Sequence, residues 1–485
     1  MEKRIIRHSK TILLFLMIII AIILCIPSIT YLIENKTVDG FNSYYTYDLN
    51  GYKGKIAGTF DGIIVIGLLM IFSILYFYIV KESESIFKNI KYTIIFIIAI
   101  SFIFTLILPF LSSDIYYYIG DSWVSSKYGE NPYYTSVKDL QNNGINDEIL
   151  KNTGYWSNTT SVYGPMWNYI AKLLVSCSFG NITLALFIFK FASNLIHILN
   201  CYLIYKITNK SIKYTILYGL NPLVLMELLS NVHNDIYLII FVLMSIYFLL
   251  QQRNKVFTII FLAFSLAIKY STILIVPFIL LYMYKDEKTI KRLLYCFLSG
   301  ISIIGIVVLL YLPYYRDFSI FTNMLVQGTK YSQSLMLFLS KNNGNSLIYG
   351  FIDKYNIIIF MILYICVIIP ELFNKNIKLT EILSKYNFTM IVFIFIVLTN
   401  FQKWYILWLL PTIIWQNNNM RKFIIYLTIT AIVPSFGYFV IGTDAWQIGM
   451  SYSIQIIIMS VALLIIDVLI NEYIRKNKIK EKSNA

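Results

Sequence analysis

The chain has 485 residues, of which 58% are hydrophobic and only 13% charged, with a formal net charge of +15. Long apolar runs recur from end to end, which excludes a soluble globule and reads as an all-α polytopic membrane protein. The positive balance sits in short connections between apolar runs, so the expected partner is the lipid bilayer and not nucleic acid.

The first run, TILLFLMIIIAIILCIPSITYLI after MEKRIIRHSK, imitates a signal peptide. It is long enough to span, and no small-residue cleavage site follows, so it reads as a retained first span. Further runs lie near 59–80, 92–111, 181–207, 213–231, 236–252, 256–269, 271–284, 291–312, 354–371, 386–401, 404–416, 423–442 and 451–471, giving about 14 spans (12–14). A shorter run, 165–179, suggests an interfacial or re-entrant helix. The runs 256–269, 271–284 and 404–416 fall short of the roughly 20 residues that a crossing needs. Irregular backbone must then enter the membrane beside them, which is tolerated only against a protein-lined cavity.

With the N-terminus inside and strict alternation, the inside connections are 1–10, 81–91, 206–213, 252–255, 285–292, 372–385, 417–422 and 472–485, and they hold 26 of the 40 Lys and Arg. These connections are short, the regime in which positive charge sets orientation. The expectation is one plasma-membrane domain over residues 1–485 with both termini cytoplasmic. Two long outer loops remain, 112–164 and 313–353. Their turn signals YGENPYY, QNNG and KNNGN predict folded caps carrying short helices. The five cysteines are scattered without a CxxC pair and read as apolar fillers.

Polar residues gather at the outer ends of these runs. SSDIYYYIGD carries Asp114 and Asp121, SVYGPMW carries Tyr163, and LLSNVHND carries His233, Asn234 and Asp235. LAIKYS carries Lys269, and TNFQKWYILW carries Lys403, Trp404, Tyr405 and Trp408. Each cluster has a structural explanation by itself. Aromatic residues favour both membrane interfaces, a lysine snorkels, and Asn or Asp caps a helix. Five such clusters on one membrane face point instead to a site. Lys190, His197, Glu227 and Asp467 lie within or near apolar runs, where a central charge costs roughly 2.5–3.5 kcal/mol on translocon scales. No chemistry is assigned to them, although Glu227 lies two turns before His233.

The order SSDIYYYIGDSW…YGENPYY, SVYGP, NPLVLMELLSNVHND, AIKYS and FQKWYILWLLP resembles the GT-C superfamily of integral-membrane glycosyltransferases. More closely it is similar to the bacterial polyprenyl-phosphate-mannose-dependent α-mannosyltransferase type, over roughly residues 90–415. The resemblance implies a GT-C-like helical bundle, a lipid-linked sugar donor, inverting transfer and an active site facing away from the cytosol. It also implies a general base at the start of the first outer loop, which is Asp114 here, with Asp121 at a second acidic position. Tyr117 stands where family members often carry a basic residue, and the stretch after Asp121 departs from the family pattern.

The chemistry asks for these residue types. A carboxylate takes the acceptor's hydroxyl proton, the role expected of Asp114, whose partial burial would raise its pKa. A fixed cation stabilises the leaving phosphate, the role expected of Lys269 and Lys403 with His233 as an added donor. Sugar or acceptor contacts are expected from Asp121, Tyr163, Asn234, Asp235, Trp404 and Tyr405. No Walker-type GxxxxGK[ST] motif occurs, so a polyprenyl-phosphate sugar is the expected donor, with a glycan, glycolipid or wall polymer as acceptor. No cofactor is expected, although paired acids beside a phosphate would admit a divalent metal. The alternative is a transporter or flippase of a lipid-linked saccharide. That reading calls for midplane polar residues and repeat symmetry, and no repeat is visible.

Overall fold

The computed structural model describes residues 2–38, 60–329, 332–343, 347–433 and 451–483, and among these the structure is helical, without an extended strand. Among the described residues, seven helices are long and apolar enough to cross a bilayer: Lys10–Asn35, Ile64–Lys81, Ile182–Ile207, Thr289–Tyr314, Gly350–Phe373, Leu379–Val397 and Tyr452–Tyr473. An eighth results if the bent pair Ile212–Gly219 and Pro222–Ser230, 42° apart, counts as one crossing. Shorter apolar helices occupy Ile90–Leu106, Asp235–Leu250, Lys255–Leu266 and Tyr270–Met283. Among the described residues, seven or eight full-length spans stand beside the expected 14 apolar runs, and the runs 92–111, 236–252, 256–269, 271–284 and 404–416 fold as shorter helices. The expected run 423–442 is described only to residue 433, and residues 330–331 and 344–346 of the second expected loop lie outside the described residues.

Local chemistry explains where the helices start. Asn89, Asn181, Asn254 and Asn417 each accept a backbone N–H of the following helix through their side-chain oxygen. This satisfies donors that a helix leaves open at its first turn. Three helices lie at the periphery. Only 11%, 22% and 17% of the apolar stretches of Thr289–Tyr314, Gly350–Phe373 and Tyr452–Tyr473 are buried, the pattern of helices wetted by lipid.

Two apolar runs are broken in the same manner. In the first, Pro222 has no N–H to continue the ladder, and Asn221 accepts from Leu223 and Val224 to start a new helix. That helix widens into a π-helical turn over Leu225–Ser230. The chain then reverses at Val232, whose φ of +60° is rare for a β-branched residue. In the second, Leu379–Val392 widens into a π-helical turn over Phe393–Val397 and runs on, extended, to a 3-10 helix over Lys403–Trp415. Such π turns often mark functional positions in helices. Here each is followed within a few residues by a polar cluster, His233–Asp235 in one case and Asn400–Lys403 in the other.

Lys190 holds the first break in place. It is fully buried in Ile182–Ile207 and donates to Ile107 O at 2.8 Å, Leu229 O at 3.0 Å and Ser230 O at 2.6 Å. These carbonyls belong to the end of one helix and to the π turn, so a single ammonium joins both to the stretch leading to Asp114. Nearby, Asn231 Oδ1 accepts from Leu111 N at 3.3 Å. The expected interfacial helix is Pro165–Ser176, and it packs along Asp114–Lys127. Its start is fixed by backbone bonds: Gly164 N donates to Ile268 O at 3.1 Å and Met166 N to Ala267 O at 3.0 Å. A Cβ at Gly164 would lie 2.1 Å from Ala267 O.

Gly164→Ala must therefore push the 267–269 segment away, and overpacking of this kind costs typically about 1–3 kcal/mol. The expected outcome is a lower melting temperature of the detergent-solubilised protein. Lys190→Met should be at least as damaging, since it removes the ammonium donor from three buried carbonyls, of which Ile107 O keeps the Ser230 hydroxyl. A melting curve unchanged by either substitution would contradict these roles.

Candidate functional site

A cavity of about 1140 Å³ opens where the broken helices meet. Asp114 and Tyr117 reach it from the helix Asp114–Lys127, and Trp156 and Tyr163 from the rest of segment 112–164. Lys269 lines it from the extended turn after Lys255–Leu266. Lys403, Trp404, Tyr405 and Trp408 line it from the 3-10 helix. The wall continues as an apolar surface that includes Leu274, Ile357, Phe360, Phe393 and Val397.

Behind the two lysines stand two carboxylates that do not line the cavity. Asp235, fully buried at the start of Asp235–Leu250, accepts from Lys269 Nζ at 2.6 Å and from Trp408 Nε1 at 2.6 Å. Lys269 also lies 5.7 Å from the Tyr163 ring centre and 5.5 Å from that of Tyr405, within cation–π range. Glu227, on the π turn, lies 3.0 Å from Lys403 Nζ and accepts from Asn231 Nδ2 at 2.9 Å. Each lysine thus lines the cavity and is held by a carboxylate behind it.

His233 bridges the two acids. Its Nε2 is 3.3 Å from Glu227 Oε2 and its Nδ1 is 3.6 Å from Asp114 Oδ2. The ring is fully buried and stacks on Trp404, with centroids 3.6 Å apart and planes 20° apart. Asn234 is also fully buried, and neither of its amide atoms has a hydrogen-bond partner among the described residues. His233, Asn234 and Asp235 therefore sit one layer behind the cavity wall. Asp121 lies two turns along the helix from Asp114, is 4% exposed and does not line the cavity.

Asp114 keeps 21% of its side chain exposed, enough to meet a ligand in the cavity. Burial pushes its carboxyl above the ordinary value, while His233, Lys269 and a hydrogen bond from Trp156 pull it back. Asp235 adds a smaller upward push. For Asp121 burial wins clearly: its carboxyl is pushed up to about 8, with Ser161 giving partial relief through a hydrogen bond. Among the described residues, no set of three His, Cys, Asp or Glu side chains is grouped to hold a metal ion.

The structure brings Asp114, Tyr163, Lys269, Lys403, Trp404 and Tyr405 to one cavity. Trp156, with its bond to Asp114, carried no signal in the sequence beyond one more aromatic residue in a loop. Glu227 did carry a signal, since an acid inside an apolar run needs a partner.

Residues 54–285 match the model of a family described as alpha-(1→6)-mannopyranosyltransferase, N-terminal domain. The match fits the GT-C mannosyltransferase resemblance of the sequence, and the matched stretch includes Asp114, Glu227, His233 and Lys269. No curated protein and no solved structure matches the chain.

Asp121 generates a stability prediction. The unfolded carboxyl loses its proton near 3.9, whereas the folded one holds it to about 8. Between these values the folded state binds more protons, so stability falls as pH rises through that window. Asp121→Asn should remove this slope. Melting temperatures at pH 5 and pH 8 should differ less in the variant than in the parent protein, and equal differences would refute the burial argument.

Proposed function

We propose that this chain, with its mannosyltransferase domain at residues 54–285, moves a mannosyl residue from a polyprenyl-phosphate carrier to an extracytoplasmic acceptor with inversion at the anomeric carbon. One observation carries the reading. A single cavity joins a partly exposed carboxylate, two lysines and an apolar wall, the surface that an amphiphilic sugar phosphate complements. Short positive connections on the opposite side of the spans support a site that faces away from the cytosol. A transporter reading has less support, because the matched family is named for group transfer.

In this mechanism the acceptor hydroxyl lies against Asp114. As its oxygen bonds to the anomeric carbon, its proton passes to the Asp114 carboxylate, and the bond from that carbon to the phosphate oxygen breaks. One displacement needs one base and no enzyme nucleophile. The departing polyprenyl phosphate gains negative charge, which Lys269 and Lys403 stabilise more in the transition state than in the bound donor. Asp235 and Glu227 act as positioning residues that hold these ammonium groups in place. The same pairing lowers the net positive charge of the site, so the lysines act as directed donors more than as a bulk attraction. His233, held between Glu227 and Asp114 and packed on Trp404, orients the base. Trp404, Tyr405 and Tyr163 offer flat faces to the sugar.

Asp114→Asn keeps shape and removes the base. Transfer from a synthetic polyprenyl-phosphate mannose should fall about 10²–10⁴-fold, while donor binding to the purified protein stays nearly unchanged. Persistent transfer would remove Asp114 from the mechanism. In the parent enzyme, kcat/KM should fall on acidification, with a midpoint above the ordinary carboxylate value of about 3.9, because burial raises this group. Lys403→Met should lower kcat more than it raises the donor KM.

A further inference from the structure

The cavity has a second polar region that the mechanism above leaves unused. Helix Leu347–Phe373 presents Asp353 and Asn356 to it, and next to them Ile357, Phe360 and Met361. Asp353 and Met361 are about 12 Å apart along the helix axis, so this wall turns from polar to apolar within little more than two turns. Asn400 and Gln402 line the same cavity from the extended stretch after the second π turn. Gln402 Nε2 donates to Asn400 Oδ1 at 3.0 Å, which aligns the two carboxamides.

Gln333 joins them from a distant part of the chain. Backbone bonds bring it there: Ser332 N donates to Thr399 O at 3.0 Å, and Phe401 N donates to Ser332 O at 2.8 Å. Its own backbone has φ +52°, a left-handed conformation that a non-glycine residue holds only when its surroundings impose it. The residue lines the cavity and is 9% exposed, and its side-chain Oε1 is buried with no hydrogen-bond partner among the described residues. A buried acceptor without a donor is destabilising until a donor reaches it.

The composition of this region selects its ligand. Carboxamides donate and accept with no net charge, and Asp353 adds acceptors and a negative charge. A phosphate would find no cation among these five residues. A ring of vicinal hydroxyls, each both donor and acceptor, matches them. The geometry points to a hexose-binding subsite built by Gln333, Asp353, Asn356, Asn400 and Gln402 in the cavity that the lysines also line. Two sources share this chemistry, the sugar of the donor and the terminal sugar of a glycan acceptor. That the hexose is mannose rests on the proposed function; the subsite itself does not.

The test uses binding, so it does not depend on turnover. The full chain in lipid nanodiscs is titrated with dodecyl phosphate, dodecyl phosphomannose and octyl α-mannoside, and tryptophan fluorescence reports occupancy, since Trp156, Trp404 and Trp408 line the cavity. Gln333→Leu and Gln402→Leu should each weaken a mannose-bearing probe roughly tenfold, the loss of one or two neutral hydrogen bonds, and leave dodecyl phosphate unchanged. A loss for dodecyl phosphomannose assigns the subsite to the donor, and a loss for octyl mannoside assigns it to the acceptor. Equal losses for all three probes, or no loss for either mannoside, overturn the subsite. Asp353→Asn, at an exposed position, carries the same test if the leucine variants do not fold. A glucosyl probe that outcompetes the mannosyl one, with the same loss on substitution, upholds the subsite and overturns mannose as the sugar.

Discussion

Charge pairing in a poorly hydrated place is the constraint on which this structure turns. Lys269 and Lys403 stand at a cavity wall among apolar side chains, with Asp235 and Glu227 buried behind them. Removing one partner of such a pair leaves an uncompensated buried charge, typically worth 3–5 kcal/mol. Each carboxylate therefore fixes where its lysine meets the cavity wall. The two pairs are not independent. Trp408 bonds Asp235 and stacks on Tyr405, while His233 lies against Glu227 and stacks on Trp404. One short 3-10 segment thus braces both halves of the site.

Regular helices could not deliver these groups. A continuous α-helix buries its backbone donors and sends its side chains sideways, whereas the site needs chain ends that converge. The breaks at Asn221–Pro222, at Val232 and after Val397 supply such ends, with Lys190 satisfying Leu229 O and Ser230 O of the first break and Asn231 tying that break to Leu111 N. In a membrane-embedded wall each satisfied carbonyl matters, because no water is present to replace the missing partner. The close approach of Gly164 to Ala267 plays the same part for Lys269: it locks the motif SVYGP against LAIKYS by backbone bonds.

The cavity also has a direction. Along Leu347–Phe373 its wall passes from Asp353 and Asn356 to Ile357, Phe360 and Met361. One of the peripheral helices with a largely unburied apolar stretch, Gly350–Phe373, supplies this wall.

Much of this was legible in the sequence. Among the described residues hydropathy located the apolar helices, and the short runs 256–269, 271–284 and 404–416 pointed to the irregular backbone beside Lys269 and Lys403. Charge counting sorted the polar clusters onto one face, and six of the residues chosen there line one cavity. What the sequence could not decide was direction and depth. His233, Asn234 and Asp235 are consecutive polar residues, and nothing in their order says that all three turn away from the cavity, one layer behind its wall. Asp121 shares a helix with Asp114, yet two turns put it in a dry interior. Trp156 and Gln333 gave no signal, since their importance comes from partners more than 40 residues away in the chain. The reason is physical. Composition and periodicity record which residues must leave water, but which atoms then face one another depends on where helices break and how their ends are tied, and only the tertiary contacts settle that.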